Sequence, residues 1–183
     1  MNTLKKLITH DGNFHSDDIF AAATLSILLE KKGESFTIVR TRDEIKIKEG
    51  DYVFDVGGIH NEATNRFDHH QVDGAGKRNF GNVDIEYAAF GLVWKKFGIE
   101  VAGTKQSADL IEKKLVAPID AHDNGFDLVE NKYDVSSYNV GHFLYSMRPT
   151  WKENVHEDEM FLKCVDIAKE ILKREIIQTQ DGI

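Results

Sequence analysis

The N-terminal part of the chain alternates short apolar runs with a helical pattern, and this alternation constrains the fold more than any other feature. The runs are rich in β-branched and aromatic residues, which favour strands. The helical pattern covers residues 17–32 and ends at Gly33, a residue type that commonly follows a helix. Strands are predicted at residues 7–9, 35–40, 52–55 and 66–69. Because strands alternate with helices, we predict an α/β fold with a mainly parallel sheet flanked by helices.

The rest of the chain is dominated by helical patterns. Asp84 is predicted to cap a helix that runs to residue 97, with Gly98 at its C-terminal end. Thr104 is predicted to cap a second helix, which reaches about residue 117. Residues 157–177 form the last predicted helix. The chain has 183 residues and 41 % of them are hydrophobic, which suits one core. We predict a single domain over residues 1–183 with a helical extension over about residues 138–183.

Net charge and cysteine content exclude several classes of protein. The net charge of −8 argues against general binding of duplex nucleic acid, although bridging divalent cations could still hold phosphates against carboxylates. The single cysteine, Cys164, allows no disulfide within one chain and favours a reducing compartment. No secretory signal and no apolar run of about 20 residues is present, so we expect a cytoplasmic protein without a membrane partner. Apolar residues at helical spacing in the predicted helices could pack in the core or against another subunit, so a homo-oligomer is possible.

Histidine and aspartate concentrate in four stretches, each near the predicted end of a strand or helix. These stretches hold six of the eight histidines and read THDGNFHSDD, DVGGIH, DHH and PIDAHDNGF. Because the carboxyl ends of parallel strands meet at one edge of a sheet, we expect these side chains to converge. Imidazole and carboxylate together suit Mn²⁺, Fe²⁺, Co²⁺ or Zn²⁺. The donors exceed the needs of one ion, so we predict a two-metal phosphoesterase site bridged by Asp55.

Together these stretches resemble the Myg-type exonuclease family, named for a melanocyte proliferating gene, within the DHH phosphoesterase superfamily. The matching motifs are THDGNFHSDD, RTRDEIKIKEGDYVFDVGG, RFDHHQ, PIDAHDNG and a later PTW. The resemblance covers nearly the whole chain. It implies a DHH-type, Rossmann-like domain that binds two divalent ions. Mn²⁺ is the preferred metal, and Mg²⁺, Co²⁺ or Zn²⁺ are the alternatives. It also implies 3′–5′ exonuclease action on RNA or short oligonucleotides by a metal-activated water.

The resemblance also assigns roles to individual residues. One ion would be held by His10, His15 and Asp55. The other would be held by Asp17, Asp55, His69 and Asp123. Asp123 is preferred to Asp120 because DNGF is similar to a superfamily motif, and Asp120 stays as the alternative ligand. His70 would face the scissile phosphate and Asp55 would bridge the two ions, so His70 and Asp55 are the candidate catalytic residues. His70 and Arg148 are the candidate substrate-binding residues.

Two other functions remain open at this point. Members of the family usually continue beyond the last helix, and we expect most of their C-terminal substrate domain to be absent. A small phosphomonoester, pyrophosphate or dinucleotide is therefore an alternative substrate. A non-catalytic metal-binding module is the second alternative. Asp18 is expected to complement the dipole of the helix over residues 17–32, in whose first turn it lies, rather than to bind metal.

Overall fold

A computed structural model describes residues 4–182 of the chain. The strands in this part are β1 (Lys5–Thr9), β2 (Phe36–Arg40), β3 (Tyr52–Phe54), β4 (His60–Asn61), β5 (Arg66–Phe67), β6 (Lys77–Phe80) and β7 (Val83–Glu86). Five of them form a sheet in the order β2-β1-β3-β5-β4, and only the edge pair β4–β5 is antiparallel. The mainly parallel α/β sheet predicted from the sequence is therefore confirmed.

Helices make up most of the remaining structure. They are α1 (Ser16–Lys32), α2 (Glu44–Glu49), α3 (Ala89–Ala102), α4 (Lys105–Ile111), α5 (Ala117–Asp123), α6 (Val140–Ser146) and α7 (Glu157–Asp181). A π-helical turn, Glu112–Val116, joins α4 to α5. α1 is buried from Ser16 to Leu29 because it packs against both α3 and α7, and it ends at Gly33 with a φ of 67°. Among the described helices, none has the length and apolar character to cross a bilayer.

The two faces of the sheet are both apolar. Successive residues of a strand point to opposite faces. Leu7 of β1 and Phe54 of β3 therefore join the main core with α1, α3 and α7, whereas Ile8 and Val53 pack with Ile47 of α2 on the other face. α7 contributes several fully or nearly fully buried side chains to the main core, so the helices after residue 138 share the core of the sheet.

The predicted helix beginning at Asp84 is wrong. Asp84 lies in β7, which forms an antiparallel hairpin with β6, and the helix starts only at Ala89. Cross-strand pairing of residues 77–86 around a Gly81 turn with φ of 72° outweighs the capping tendency of Asp84. The predicted C-terminal end at Gly98 is wrong as well, because α3 continues to Ala102 and ends at Gly103 with a φ of 85°. Gly98 lies under the Trp94 ring, and a Cβ there would come within 2.8 Å of that ring.

The order of the strands creates a crevice at one end of the sheet. From β1 the chain passes through α1 to β2 on one side, and it returns to β3 on the other side of β1. The carboxyl ends of β1 and β3 thus meet at the point where the strand order reverses, which is where open parallel sheets commonly bind ligands. His10 directly follows β1 and Asp55 directly follows β3.

Candidate metal centre

Five separate segments bring histidine and aspartate side chains into this crevice. The end of β1 supplies His10, the start of α1 supplies His15 and Asp17, the end of β3 supplies Asp55, the segment after β5 supplies Asp68, His69 and His70, and the end of α5 supplies Asp123. Within the described residues these side chains form three overlapping groups whose donor atoms lie within 4.8 Å of one another. The spatial convergence expected from the sequence is therefore present.

The first group consists of His10, His15 and Asp55. His10 Nε2 lies 3.0 Å from Asp55 Oδ2 and 3.2 Å from Asp18 Oδ2, and its Nδ1 lies 3.1 Å from the backbone nitrogen of Gly12. Asp55 has a φ of 54°, a left-handed conformation that costs on the order of 1 kcal/mol for a residue other than glycine. This backbone strain occurs at the residue that turns the chain into the crevice.

The second group consists of His15, Asp17 and Asp123. Asp17 is fully buried, and its Oδ2 accepts a hydrogen bond of 3.3 Å from the backbone N–H of Ala89 at the start of α3. Asp123 Oδ1 lies 3.6 Å from His15 Nδ1. His69 Nε2 lies 3.2 Å from Asp123 Oδ2. One helix start and one helix end thus face each other across the crevice.

The third group consists of Asp55, Asp68, His69 and His70. His69 Nδ1 lies 3.7 Å from Asp55 Oδ1, so the ring of His69 connects this group to Asp123 of the second. Asp68 Oδ1 lies 2.7 Å from His70 Nδ1, and Asp68 Oδ2 accepts a bond of 2.6 Å from the backbone N–H of Gly58. Burial opposes ionisation of Asp68, but these hydrogen bonds lower its pKa. An ionised Asp68 can only accept, so His70 Nδ1 carries the proton and its Nε2 is left for another partner.

The crowding of carboxylates perturbs the titration of the site. Burial raises the pKa of Asp17 well above its usual range, and the nearby charges of Asp55 and Asp123 raise it further. Burial alone lowers the pKa of His10, but its contacts with Asp18 and Asp55 outweigh burial and raise the pKa to about 9. The protein therefore holds extra protons where cations would otherwise neutralise the carboxylates.

The side chains of the crevice fit divalent cations. Asp17 Oδ1, Asp55 Oδ1 and His69 Nδ1 are buried and have no hydrogen-bond partner. Buried polar atoms without partners are uncommon in native proteins and often mark an ion or water site. The donors are imidazole nitrogens and carboxylate oxygens, and Cys164 belongs to the apolar core rather than to any of the three groups. Such a donor set suits the first-row divalent cations and does not favour a soft metal.

Asp120, the alternative ligand, is not brought into this cluster. It is fully buried one helical turn before Asp123. Its Oδ2 accepts a bond of 2.6 Å from Arg78, and its Oδ1 accepts a bond of 3.0 Å from the backbone N–H of Gly91. Within residues 4–182 it joins none of the groups that could hold a metal ion. The sequence could not separate Asp120 from Asp123, because both occupy plausible positions in α5.

Arg148 lies in a neighbouring pocket lined also by His15 and Asp123, so the structure brings it beside the site but not into the metal groups. His70 is largely exposed at the rim of a cleft of about 540 Å³ that reaches His10 and Asp55. The other candidate site residues from the sequence lie in the three groups described above.

Sequence reasoning gave too little weight to two residues of the site. Asp18 does occupy the first turn of α1, where its Oδ1 accepts a bond of 3.0 Å from the backbone N–H of His15. It is also fully buried beside His10, a contact that dipole arguments do not anticipate. The sequence assigns Asp68 no role of its own within the DHH stretch, although the two residues that follow it are both histidines.

Comparison with known proteins places this site in a family context. The family model for MYG1 exonucleases, described as an uncharacterised protein family (UPF0160), matches residues 6–182. A MYG1 protein of Caenorhabditis elegans is 31 % identical over 185 aligned residues, which cover 92 % of this chain and 54 % of the worm protein. The MYG1 exonuclease of Mus musculus is 29 % identical over 187 residues, which cover 88 % of this chain and 47 % of the mouse protein.

A bacterial relative is also similar to most of this chain and is covered only in part. A MYG1 protein of Chlamydia muridarum is 27 % identical over 190 residues, which cover 91 % of this chain and 60 % of the bacterial protein. The chain thus spans about half the length of the worm and mouse relatives and somewhat more of the chlamydial one. No solved structure was found to match it. Because the family model covers nearly every residue, the chain belongs to the MYG1 exonuclease family.

Proposed function

We propose that the protein is a phosphoesterase of the DHH type that depends on divalent metal ions, with 3′–5′ exonuclease action on RNA or short oligonucleotides. The observation that carries the proposal is the set of three overlapping donor groups, in which Asp55 and His15 each belong to two. Shared donors allow two cations to lie close together, as in enzymes that hydrolyse phosphate esters. The names of the mouse, rat and cow relatives, all MYG1 exonucleases, support a nucleic acid substrate.

In this proposal the two ions are held by the residues named from the sequence, with Mn²⁺ as the preferred metal. His10, His15 and Asp55 hold one, and Asp17, Asp55, His69 and Asp123 hold the other. When bound, such ions polarise phosphate oxygens and lower the pKa of a coordinated water.

In this proposal His70 contacts the substrate through its Nε2. Asp68 fixes the orientation of the ring by its bond to Nδ1. The ring lies at the rim of the cleft, where it can contact an oxygen of the scissile phosphate. Asp68 therefore serves as a positioning residue, and His70 as a group that touches the substrate.

A metal analysis paired with a nuclease assay tests the proposal. The purified protein is loaded with Mn²⁺, freed of excess metal and analysed for bound metal. It is then incubated with a short 5′-labelled RNA, and both the shortened labelled fragments and the released nucleoside monophosphates are measured. The variants are Asp55→Asn, and as a matched control Asp109→Asn, which removes an exposed carboxylate whose partner is Lys105 on the same helix. We expect Asp55→Asn to lose metal and turnover and Asp109→Asn to keep both.

Each alternative function predicts a different result in the same assay. Hydrolysis of a phosphomonoester, pyrophosphate or dinucleotide without cleavage of longer RNA would favour a small substrate. Stoichiometric metal without turnover of any phosphate ester would favour a non-catalytic metal-binding module. Full activity and full metal content in Asp55→Asn would refute the assigned centre.

A further inference from the structure

A second pocket opens beside the metal centre, between α1 and α6. It has a volume of about 210 Å³, and two of its lining residues, His15 and Asp123, are donors of the metal centre. The opposite wall comes from Tyr145 and Arg148, at the end of α6 and just beyond it. Pockets for drug-sized ligands begin at about 300 Å³, so this one has room for a single small unit of a longer substrate.

Arg148 gives this pocket an unneutralised positive charge. The residue is half-buried, its Nη2 donates to the backbone carbonyl of Phe14, and its buried Nε has no partner. Among residues 4–182, no carboxylate lies within ion-pair distance of its guanidinium, whereas the buried arginines Arg40 and Arg78 pair with Asp158 and Asp120. A guanidinium held in place by neutral groups, in a chain of net charge −8, is suited to an anion.

Tyr145 adds an exposed aromatic ring to the same wall. Its ring centroid lies 4.6 Å from the Arg148 guanidinium carbon, while 67 % of the residue remains exposed. Exposed aromatic side chains next to a cationic group are the usual elements with which proteins hold single-stranded nucleic acid, because every base can stack on them. Ser16 and His122 supply polar groups on the remaining walls.

We infer that this pocket binds the nucleotide adjacent to the scissile phosphate, with its phosphate against Arg148 and its base against Tyr145. The inference rests on the proposed function, because it takes the metal centre as the place of the scissile phosphate. It narrows the substrate class to chains of at least two linked nucleotides. A phosphomonoester would leave both Arg148 and Tyr145 unused.

The kinetic test compares a short and a minimal substrate. Arg148→Met and Tyr145→Leu are assayed with Mn²⁺ on a trinucleotide RNA and on bis(p-nitrophenyl) phosphate, a diester that lacks an adjacent nucleotide. We expect each variant to lose about 10- to 100-fold in kcat/KM on the trinucleotide and to lose less than that on the small diester. Tyr145→Phe should keep trinucleotide activity, since it retains the ring. Arg174→Met and Tyr133→Leu, both at exposed positions outside the pocket, are the matched controls.

A binding measurement decides the inference independently of turnover. Anisotropy of a fluorescent trinucleotide is followed in Ca²⁺ and in Mn²⁺ at several salt concentrations. Loss of one phosphate contact in Arg148→Met should weaken binding and reduce the slope of log K against log salt by about 0.7. If circular dichroism shows that Arg148→Met does not fold, Arg148→Lys and Tyr145→Leu replace it. Both of these variants should weaken binding of the trinucleotide.

The outcomes separate the two claims. Equal losses on both substrates, or no loss on either, overturn the pocket assignment while leaving the phosphoesterase in place. If the wild type hydrolyses neither substrate, the proposed function fails. The position next to a scissile phosphate fails with it, and only nucleotide binding by the pocket is left to decide. That binding is supported if the wild type binds the trinucleotide more tightly than Arg148→Met, and it is overturned if the two bind equally or if the wild type does not bind it with either ion.

Discussion

The buried pair of Arg78 and Asp120 offers the sharpest test of the energetics of this structure. Arg78 Nη2 lies 2.6 Å from Asp120 Oδ2, and the side chains are 8 % and 0 % exposed. The same guanidinium lies 2.9 Å from Glu112 through its Nε. Asp120 stands one turn before Asp123, so the pair anchors the helix that presents Asp123 to the metal centre. Arg78→Met removes the charge and keeps most of the side-chain volume.

The expected loss of stability follows from the burial of the pair. Two unit charges about 4 Å apart attract by about 4 kcal/mol at the effective dielectric of protein sites. Removal of one partner of a buried pair costs about 3–5 kcal/mol, because the other charge is left without compensation. For a chain of this size, such a loss lowers Tm by roughly 6–20 °C. Lys105→Met is the matched control, since the Lys105–Asp109 contact is also 2.6 Å long but largely exposed and should contribute about 0.5 kcal/mol or less.

The pH dependence of stability is a second, independent test of the Arg78–Asp120 pair. Burial raises the pKa of Asp120 to about 7 even though Arg78 lowers it, so the loss of Arg78 should raise the pKa further. A carboxyl with a raised pKa in the folded state stabilises the protein at low pH, and this contribution is lost as the pH rises through that pKa. Arg78→Met should therefore be less destabilised at pH 5 than at pH 8.

Urea denaturation of Arg78→Met, Asp120→Leu and the double variant measures the coupling between the two side chains. The double variant should lose less than the sum of the two single variants, because neither Arg78 nor Asp120 is then left charged without the other. A loss below about 1 kcal/mol in Arg78→Met, the value of an exposed pair, would refute the reasoning.

Three further predictions follow from individual side chains. Gly91→Ala should cost about 1–3 kcal/mol in urea denaturation, because its Cβ would lie 1.8 Å from Asp120 Oδ2; unchanged stability would contradict this close approach. With a pKa of about 9, His10 is protonated at pH 7, so Mn²⁺ binding should release a proton and strengthen as the pH rises towards 9. Calorimetry in two buffers of different ionisation enthalpy detects this release, and identical enthalpies would count against it. Burial raises the pKa of the Cys164 thiol to about 11, so a thiol reagent at pH 8 should modify only the unfolded protein.

The local pattern of the sequence predicted most of the sheet but not the hairpin. Strands β1, β2 and β3 were found because each contains a short run of apolar and β-branched residues, although only β3 is buried along its whole length. Asp84 was misread because helix capping and turn formation favour the same residue types, and the helical interpretation gave no weight to a strand at residues 77–80, where Asn79 pairs with Asp84. The capping role of Thr104 was predicted correctly, since its side chain accepts from the Ser107 N–H within the same turn.

The identity of the clustered residues was predictable, but their division of roles was not. Topology alone brings the ends of β1 and β3 together, so His10 and Asp55 had to lie close to each other. The bond from Asp68 to His70 and the left-handed backbone of Asp55 depend on rotamers and dihedral angles that no spacing rule encodes. Asp120 was ambiguous because the Arg78 that neutralises it lies forty-two positions away.

The adjacent aspartates of α1 show how the fold resolves the conflict between stability and metal binding. Asp17 and Asp18 are both fully buried, where two negative charges are unfavourable. In each, one oxygen is held by a backbone N–H, from Ala89 for Asp17 and from His15 for Asp18. The second oxygen of Asp17 has no hydrogen bond, and that of Asp18 lies beside His10. Backbone donors from a separate helix and from the cap of α1 thus fix both carboxyl groups through folding alone, so Asp17, a ligand in the proposed centre, is held in position without a cation.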